Sequence, residues 1–188
     1  MQEVTRYEES HQSLEFVIDE ISERKYWFVR TNGGDYYNEY FNEGFIAVGF
    51  NFITDQSPII RAEEDSVYKR ALQEKIKFEA ESASTEDKQI KPGLIINQLK
   101  RFLVEMSVGD IVLIPSENSQ YISFGQIVSD TYLIDESELA EDGCPFIKRR
   151  SIKWLKTLKK DRLDPYLYKA IMSHHVITDV SDSATFIN

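Results

Sequence analysis

Cysteine is nearly absent from this chain: Cys144 is the only one in 188 residues, so no internal disulfide forms and no cysteine-built zinc site is available. Histidine is scarce as well, with three residues. The adjacent pair His174-His175 points to opposite sides in either regular structure, and no third ligand sits at a useful spacing, so no metal is expected. No uninterrupted apolar run approaches the roughly 20 residues of a membrane helix, and no charged, apolar and small-residue leader opens the sequence. A cytoplasmic protein without a membrane partner is the expectation. Nucleophile elbows and GxGxxG patterns are also missing, and Asn32-Gly33-Gly34-Asp35 lacks the spacing and lysine of a phosphate-cradling loop, which leaves it as a turn. No enzyme activity and no cofactor are expected.

Aromatic residues, by contrast, are plentiful, with ten Tyr, eleven Phe and two Trp. Disordered chains lack the apolar area that offsets ordering entropy, so this one is read as folded, and its length suits one well-buried core. Charge is unevenly spread. The formal net charge is -10, yet residues 147–162 (IKRRSIKWLKTLKKDR) hold eight Lys or Arg against the single acid Asp161. Two readings stay open for that segment: a surface that binds phosphate, and a solvated basic face balancing acidic neighbours.

Periodicity organises the chain as follows. Residues 1–24 carry seven acids against Arg6 and Arg24, with Leu14, Val17, Ile18 and Ile21 at helical spacing, and are read as an acidic N-terminal helical extension. Strands are expected at 25–31 and 44–52, separated by a turn and a short helical stretch at 36–41. A helix over 65–82, a polar loop (ESASTEDKQ) and a second helix after Pro92-Gly93 follow. Residues 109–114 and 121–128 read as a hairpin, 130–142 as an acidic solvated connection, 146–158 as a strand, 164–173 as a helix and 176–180 as a last short strand. Such an order predicts an α+β domain whose small curved β-sheet or open barrel is flanked by helices. Residues 181–188 are read as the start of a linker to a further module.

Few residues carry obvious chemistry. Asp110 begins a strand, but the next strand (YISFGQIV) offers no acid or lysine to complete a metal set, so Asp110 is read as fixing the strand's start. Cys144 follows acids that disfavour its thiolate, and is read as inert. Period-two alternation puts Lys148, Arg150, Ile152 and Trp154 on one face, and Arg149, Ser151 and Lys153 on the other. Ile152 and Trp154 are expected in the core, Arg149 and Lys153 in solvent or on a partner, while Arg150 shares the face of the core residues.

In order, KYWFVR, GFIAVGF, MSVGDIVLI, FGQIV and RRSIKW resemble the EVE-like branch of the PUA superfamily, which is related to YTH readers. The matching positions are Tyr26-Trp27-Phe28, Phe50, Val108-Gly109-Asp110, Gly125, and Arg150, Ile152 and Trp154, so the resemblance covers about residues 25–180. It implies a small curved β-barrel that takes a modified base into an aromatic pocket. It also implies placement at the N-terminus of a modification-dependent restriction or defence protein, with a nuclease or motor module downstream. Phe50 stands where the family commonly has a tryptophan pocket wall, and Asn51 where the next residue addresses the base edge. Tyr121, Tyr132 or Phe146 would supply a second wall, and Lys148, Arg149, Arg150, Lys153, Lys159 and Lys160 would hold phosphates. The leading expectation is a non-catalytic reader of modified DNA that flips the base, with a protein-interaction or regulatory module and a YTH-type reader of methylated RNA as alternatives.

Overall fold

A computed structural model describes residues 24–83, 90–173 and 175–187. The chain runs β1 (Tyr26–Val29), α1 (Tyr37–Glu43), β2 (Phe45–Val48), α2 (Ser57–Glu64), α3 (Ser66–Ala83), α4 (Pro92–Lys100), β3 (Ile111–Pro115), β4 (Tyr121–Ile127), β5 (Tyr132–Leu133), β6 (Lys148–Lys159), α5 (Pro165–Ala170) and β7 (Ile177–Asp179). Local chemistry explains several boundaries. Gly44 ends α1 in the left-handed region (φ 70°), returning its N–H to the Tyr40 carbonyl, a conformation glycine adopts without Cβ cost. Asp164 accepts the Tyr166 N–H at 2.8 Å, with Pro165 at the first turn of α5, a common way to open a helix.

Among the described residues seven strands form one curled mixed sheet in the order β2-β6-β4-β3-β1-β7, with β5 beside the start of β6. β1 runs parallel to β3, and the other pairs are antiparallel. Both faces of the central strands are buried, because alternate residues feed two separate cores. Trp27, Val29, Val112 and Ile114 pack with Ile59, Ile76, Leu99 and Phe102 from the α2–α4 side. Tyr26, Phe28, Ile111 and Leu113 pack with Leu163, Leu167 and Ile171 around α5. The expected α+β class, a small curved sheet flanked by helices, is the class observed.

Gly125 marks a bulge. The β4–β6 register slips between Phe124 and Gly125, leaving Leu155 as the extra residue. A Cβ at Gly125 would stand 2.3 Å from Ile152 Cγ2 and 2.6 Å from Trp154 Cε3, so the two long strands close only over a bare backbone. Gly125→Ala is expected to destabilise by about 1–3 kcal/mol through overpacking, read as a lower urea midpoint at unchanged slope. An unshifted midpoint would show that Ile152 and Trp154 move aside freely.

Several expectations change. The strand expected over 44–52 stops at Val48, because Phe50 turns the chain at positive φ. Helix α2 went unrecognised, although Asp55 accepts the Ser57 N–H at 2.7 Å and Pro58 follows in the first turn. The acidic connection contains β5, paired with Arg149 and Lys148. Residues 181–187 are a folded part of the second core, with Ser183 and Ile187 buried and Ile187 O accepting from Lys156 Nζ at 3.0 Å. The helix expected at the N-terminus, most of the polar loop (residues 84–89) and His174 lie outside the described residues. Among the described residues no helix is long and apolar enough to cross a membrane.

Candidate functional site

The turn that ends β2 builds the most distinctive surface of the molecule. Phe50 has φ 61°, a conformation that costs a bulky L-residue about 1 kcal/mol or more. Two donors hold its carbonyl: the Ile53 N–H at 3.0 Å and the Lys148 ammonium at 2.7 Å. Asn51 stitches the turn to the chain before β6, its Nδ2 donating to Pro145 O at 2.9 Å and its Oδ1 accepting the Ile147 N–H at 3.3 Å. Gly49 lies under the Phe146 ring, 3.1 Å from where its own Cβ would be.

Between these two stretches and α3 lies a cleft of about 410 Å³, lined by Phe50, Asn51, Phe52, Glu79, Pro145 and Phe146. That size falls in the range of about 300–1,000 Å³ typical of small-molecule sites. Phe50 and Phe52 meet edge to face at 6.4 Å, Phe146 meets Tyr36 similarly at 5.6 Å, and the Lys75 ammonium stands 5.0 Å over the Phe52 ring. Three of the five aromatic and amide residues expected in a base pocket, Phe50, Asn51 and Phe146, are therefore neighbours.

Lys148, Arg149 and Arg150 do not form the expected phosphate-binding surface; they are 0%, 7% and 3% exposed. Burial alone pushes the Lys148 amine down to about 8, since desolvation penalises the charged form. Arg149 lies 3.8 Å over the Phe45 ring and pairs with Glu39 at 3.5 Å and Glu43 at 3.7 Å on α1. Arg150 Nε donates to Phe102 O at 3.0 Å and Nη1 to Ser129 O at 3.3 Å; burial lowers its pKa, while Asp130 and Asp110 oppose that shift. All three charges support the interior, because helix α1 covers one face of early β6 and the Phe50 turn and the Phe102 segment cover the other. Arg149 in particular points to α1, not to solvent.

The remaining expected residues lie elsewhere. Tyr132, on β5, pairs with Arg149 and does not line the cleft. Tyr121 pairs with Lys159 at the opposite end of β6 from Lys148, about 35 Å away along an extended strand, so Tyr121 is no wall of the same pocket. Lys159 and Lys160 accompany Tyr121 there, while Lys153 is exposed opposite Gln126. Sequence reasoning missed Phe52, Pro145, Glu79 and Ala80. The first two adjoin residues it did select; the other two lie on α3, whose approach to the turn has no local signal.

Asp110 and Cys144 serve structure. Asp110 accepts three N–H groups at the junction of β1 and β3. Cys144 is buried, its thiol pKa raised first by desolvation, and its N–H is held by Glu39 at 2.6 Å. Among the described residues no group of three or more His, Cys, Asp or Glu is arranged to hold a metal ion. Residues 25–181 match the model of a family described as "Domain of unknown function (DUF8426)". No curated protein matches the chain.

Proposed function

We propose that this chain, which belongs to the DUF8426 family, is a non-catalytic module that recognises a modified base in DNA by receiving it in the Phe50–Phe52–Phe146 cleft. The observation that carries the reading is the Phe50 turn. A residue type that avoids positive φ is held there by a buried lysine and by a clamped neighbour, and local strain of this kind concentrates at ligand sites. Rings around the cleft offer stacking faces to a base that has left its helix, which offsets an unstacking cost of a few kcal/mol. The Glu79 carboxylate at the cleft accepts from an exocyclic amino group, the polar group cytosine and adenine present. Asn51 spends one N–H on Pro145 and keeps the other for a base edge. A restriction or defence setting, with a nuclease or motor module as partner, follows from the resemblance of the ordered strands alone.

Burial of Lys148, Arg149 and Arg150 favours a second reading, an interaction module for another protein, since it removes three cations from the surface of a chain with net charge -10. Fluorescence anisotropy with matched unmodified, cytosine-modified and adenine-methylated oligonucleotides, each as DNA and RNA at two salt concentrations, separates the readings. One modified DNA probe is expected to bind best, and Phe50→Ala to lower its affinity roughly 10- to 100-fold, the worth of one stacked ring, while the protein stays folded. Methylated RNA winning the competition would assign a YTH-type reader. Equal affinity for every probe would remove the base-reading function, and no binding even at low salt would leave the protein-interaction module.

A further inference from the structure

Tyr121, expected in the base pocket, and Lys159 and Lys160, expected on phosphates, meet at the far end of β6 and form a cleft of their own. Lys160 N–H pairs with Gln120 O at 2.9 Å, closing the β4–β6 ladder beside the turn into α5. Around that closure Gln120, Tyr121, Lys159, Lys160, Leu163 and Tyr168 enclose a cleft of about 620 Å³. Its chemistry is twofold. Tyr121, 40% exposed, and Tyr168 offer rings, while Leu163 and Pro165 supply an apolar floor. At the same cleft are two lysines, and among the described residues no carboxylate lies within 4.0 Å of either ammonium; Lys160 instead stands 4.8 Å over the Tyr168 ring. Asp161 on the rim is offset by its neighbour Arg162, so the turn keeps a positive balance in a chain of net charge -10.

From this geometry we infer that the cleft binds a nucleoside phosphate, its base against Tyr121 and Tyr168 and its phosphate between Lys159 and Lys160. Flat aromatic bodies stack on such rings, and paired ammonium groups position phosphate without reading sequence. The distance along β6 separates this site from the base cleft, so the two bind independently. Two sources share the chemistry: a free mononucleotide, and an unmodified unit of a polynucleotide strand.

Titration of the whole chain with AMP and, separately, with an unmodified single-stranded oligodeoxynucleotide tests the inference, followed by tyrosine fluorescence and by anisotropy. Binding of either probe is expected. Binding of AMP indicates a free nucleotide, and binding of the oligonucleotide alone indicates a strand. Lys159→Ala with Lys160→Ala, at positions outside both cores, should weaken the bound probe at least tenfold. For the oligonucleotide it should also flatten the dependence of log K on log salt by about 0.7, the value for the one phosphate that the lysine pair no longer neutralises. Tyr121→Ala should weaken binding at an unchanged salt slope. No binding of either probe to the native chain at low salt, or full affinity in the double lysine variant, would overturn the inference. Neither result bears on discrimination between modified and unmodified bases, which the Phe50 cleft alone governs.

Discussion

Asp110→Ala is expected to cost about 3–5 kcal/mol of stability, enough to consume much of the margin of a domain this size. The carboxylate is 5% exposed and accepts three hydrogen bonds, from Lys25 N at 3.0 Å on Oδ1, and from Trp27 Nε1 at 2.8 Å and Ser107 N at 3.0 Å on Oδ2. These donors lie before β1, in the first core and in the turn before β3. A single side chain thus aligns the parallel β1–β3 pair, whose strands cannot be joined by a tight hairpin and need another means of fixing register. Truncation strands three donors, each worth about 1–3 kcal/mol if left unpaired, less what water entering at Lys25 and Ser107 restores. Asp110→Asn should fall between native and alanine, because its amide nitrogen must face a donor on one side. Urea unfolding followed by tryptophan fluorescence measures both. A loss below about 1 kcal/mol for the alanine variant would mean that strand pairing alone fixes the junction.

Asp110 also illustrates what the sequence made legible. A Gly-Asp pair before a β-branched run, with no second acid or lysine in the next strand, is a local pattern, and it led to a structural role that the three hydrogen bonds bear out. The hairpin of β3 and β4, the helix after Pro92 and the α5 start at Pro165 were legible for the same reason: each is written in contiguous residues. Burial of the basic run was not. Alternation correctly separated Lys148 and Arg150 from Arg149, but a two-residue period says nothing about what covers each face. The acids that draw Arg149 inward, Glu39 and Glu43, lie on α1, more than a hundred positions earlier. Similarly, Phe146 and Tyr121 were equivalent as aromatic residues flanking β-structure. Only the pairing of Tyr121 with Lys159, and of Val48 with Lys148, sends them to opposite ends of β6. The positive φ of Phe50 had no signal at all, because that position favours glycine or asparagine, and asparagine is the next residue.

Lys148→Met should raise stability by about 1–3 kcal/mol near pH 7, and the gain should shrink as pH rises. The ammonium is fully buried, with a pKa lowered to about 8 from 10.5 by desolvation. Between those two values the unfolded chain binds more protons than the folded one, so stability rises with pH through that window and the buried charge is most costly below it. Methionine keeps the length and apolar stem of lysine without the charge, and the Phe50 carbonyl still accepts from Ile53 N–H at 3.0 Å, so no acceptor is orphaned. From about pH 7.5 to 9.5 the native protein should gain about 1–2 kcal/mol relative to the variant. The comparison must be between the two proteins, since Cys144 and Tyr40, whose pKa values are raised, contribute the opposite slope equally to both. Unfolding midpoints at several pH values supply the measurement, and a constant difference across that range would show that Lys148 is already neutral or well solvated. If the difference does narrow, the lysine is kept at a cost to folding, and among the described residues the one hydrogen bond of its ammonium is to the carbonyl of the turn that sets Phe50 at the cleft. Weaker binding of the modified probe by the more stable Lys148→Met protein would then tie that cost to the geometry of the Phe50 turn.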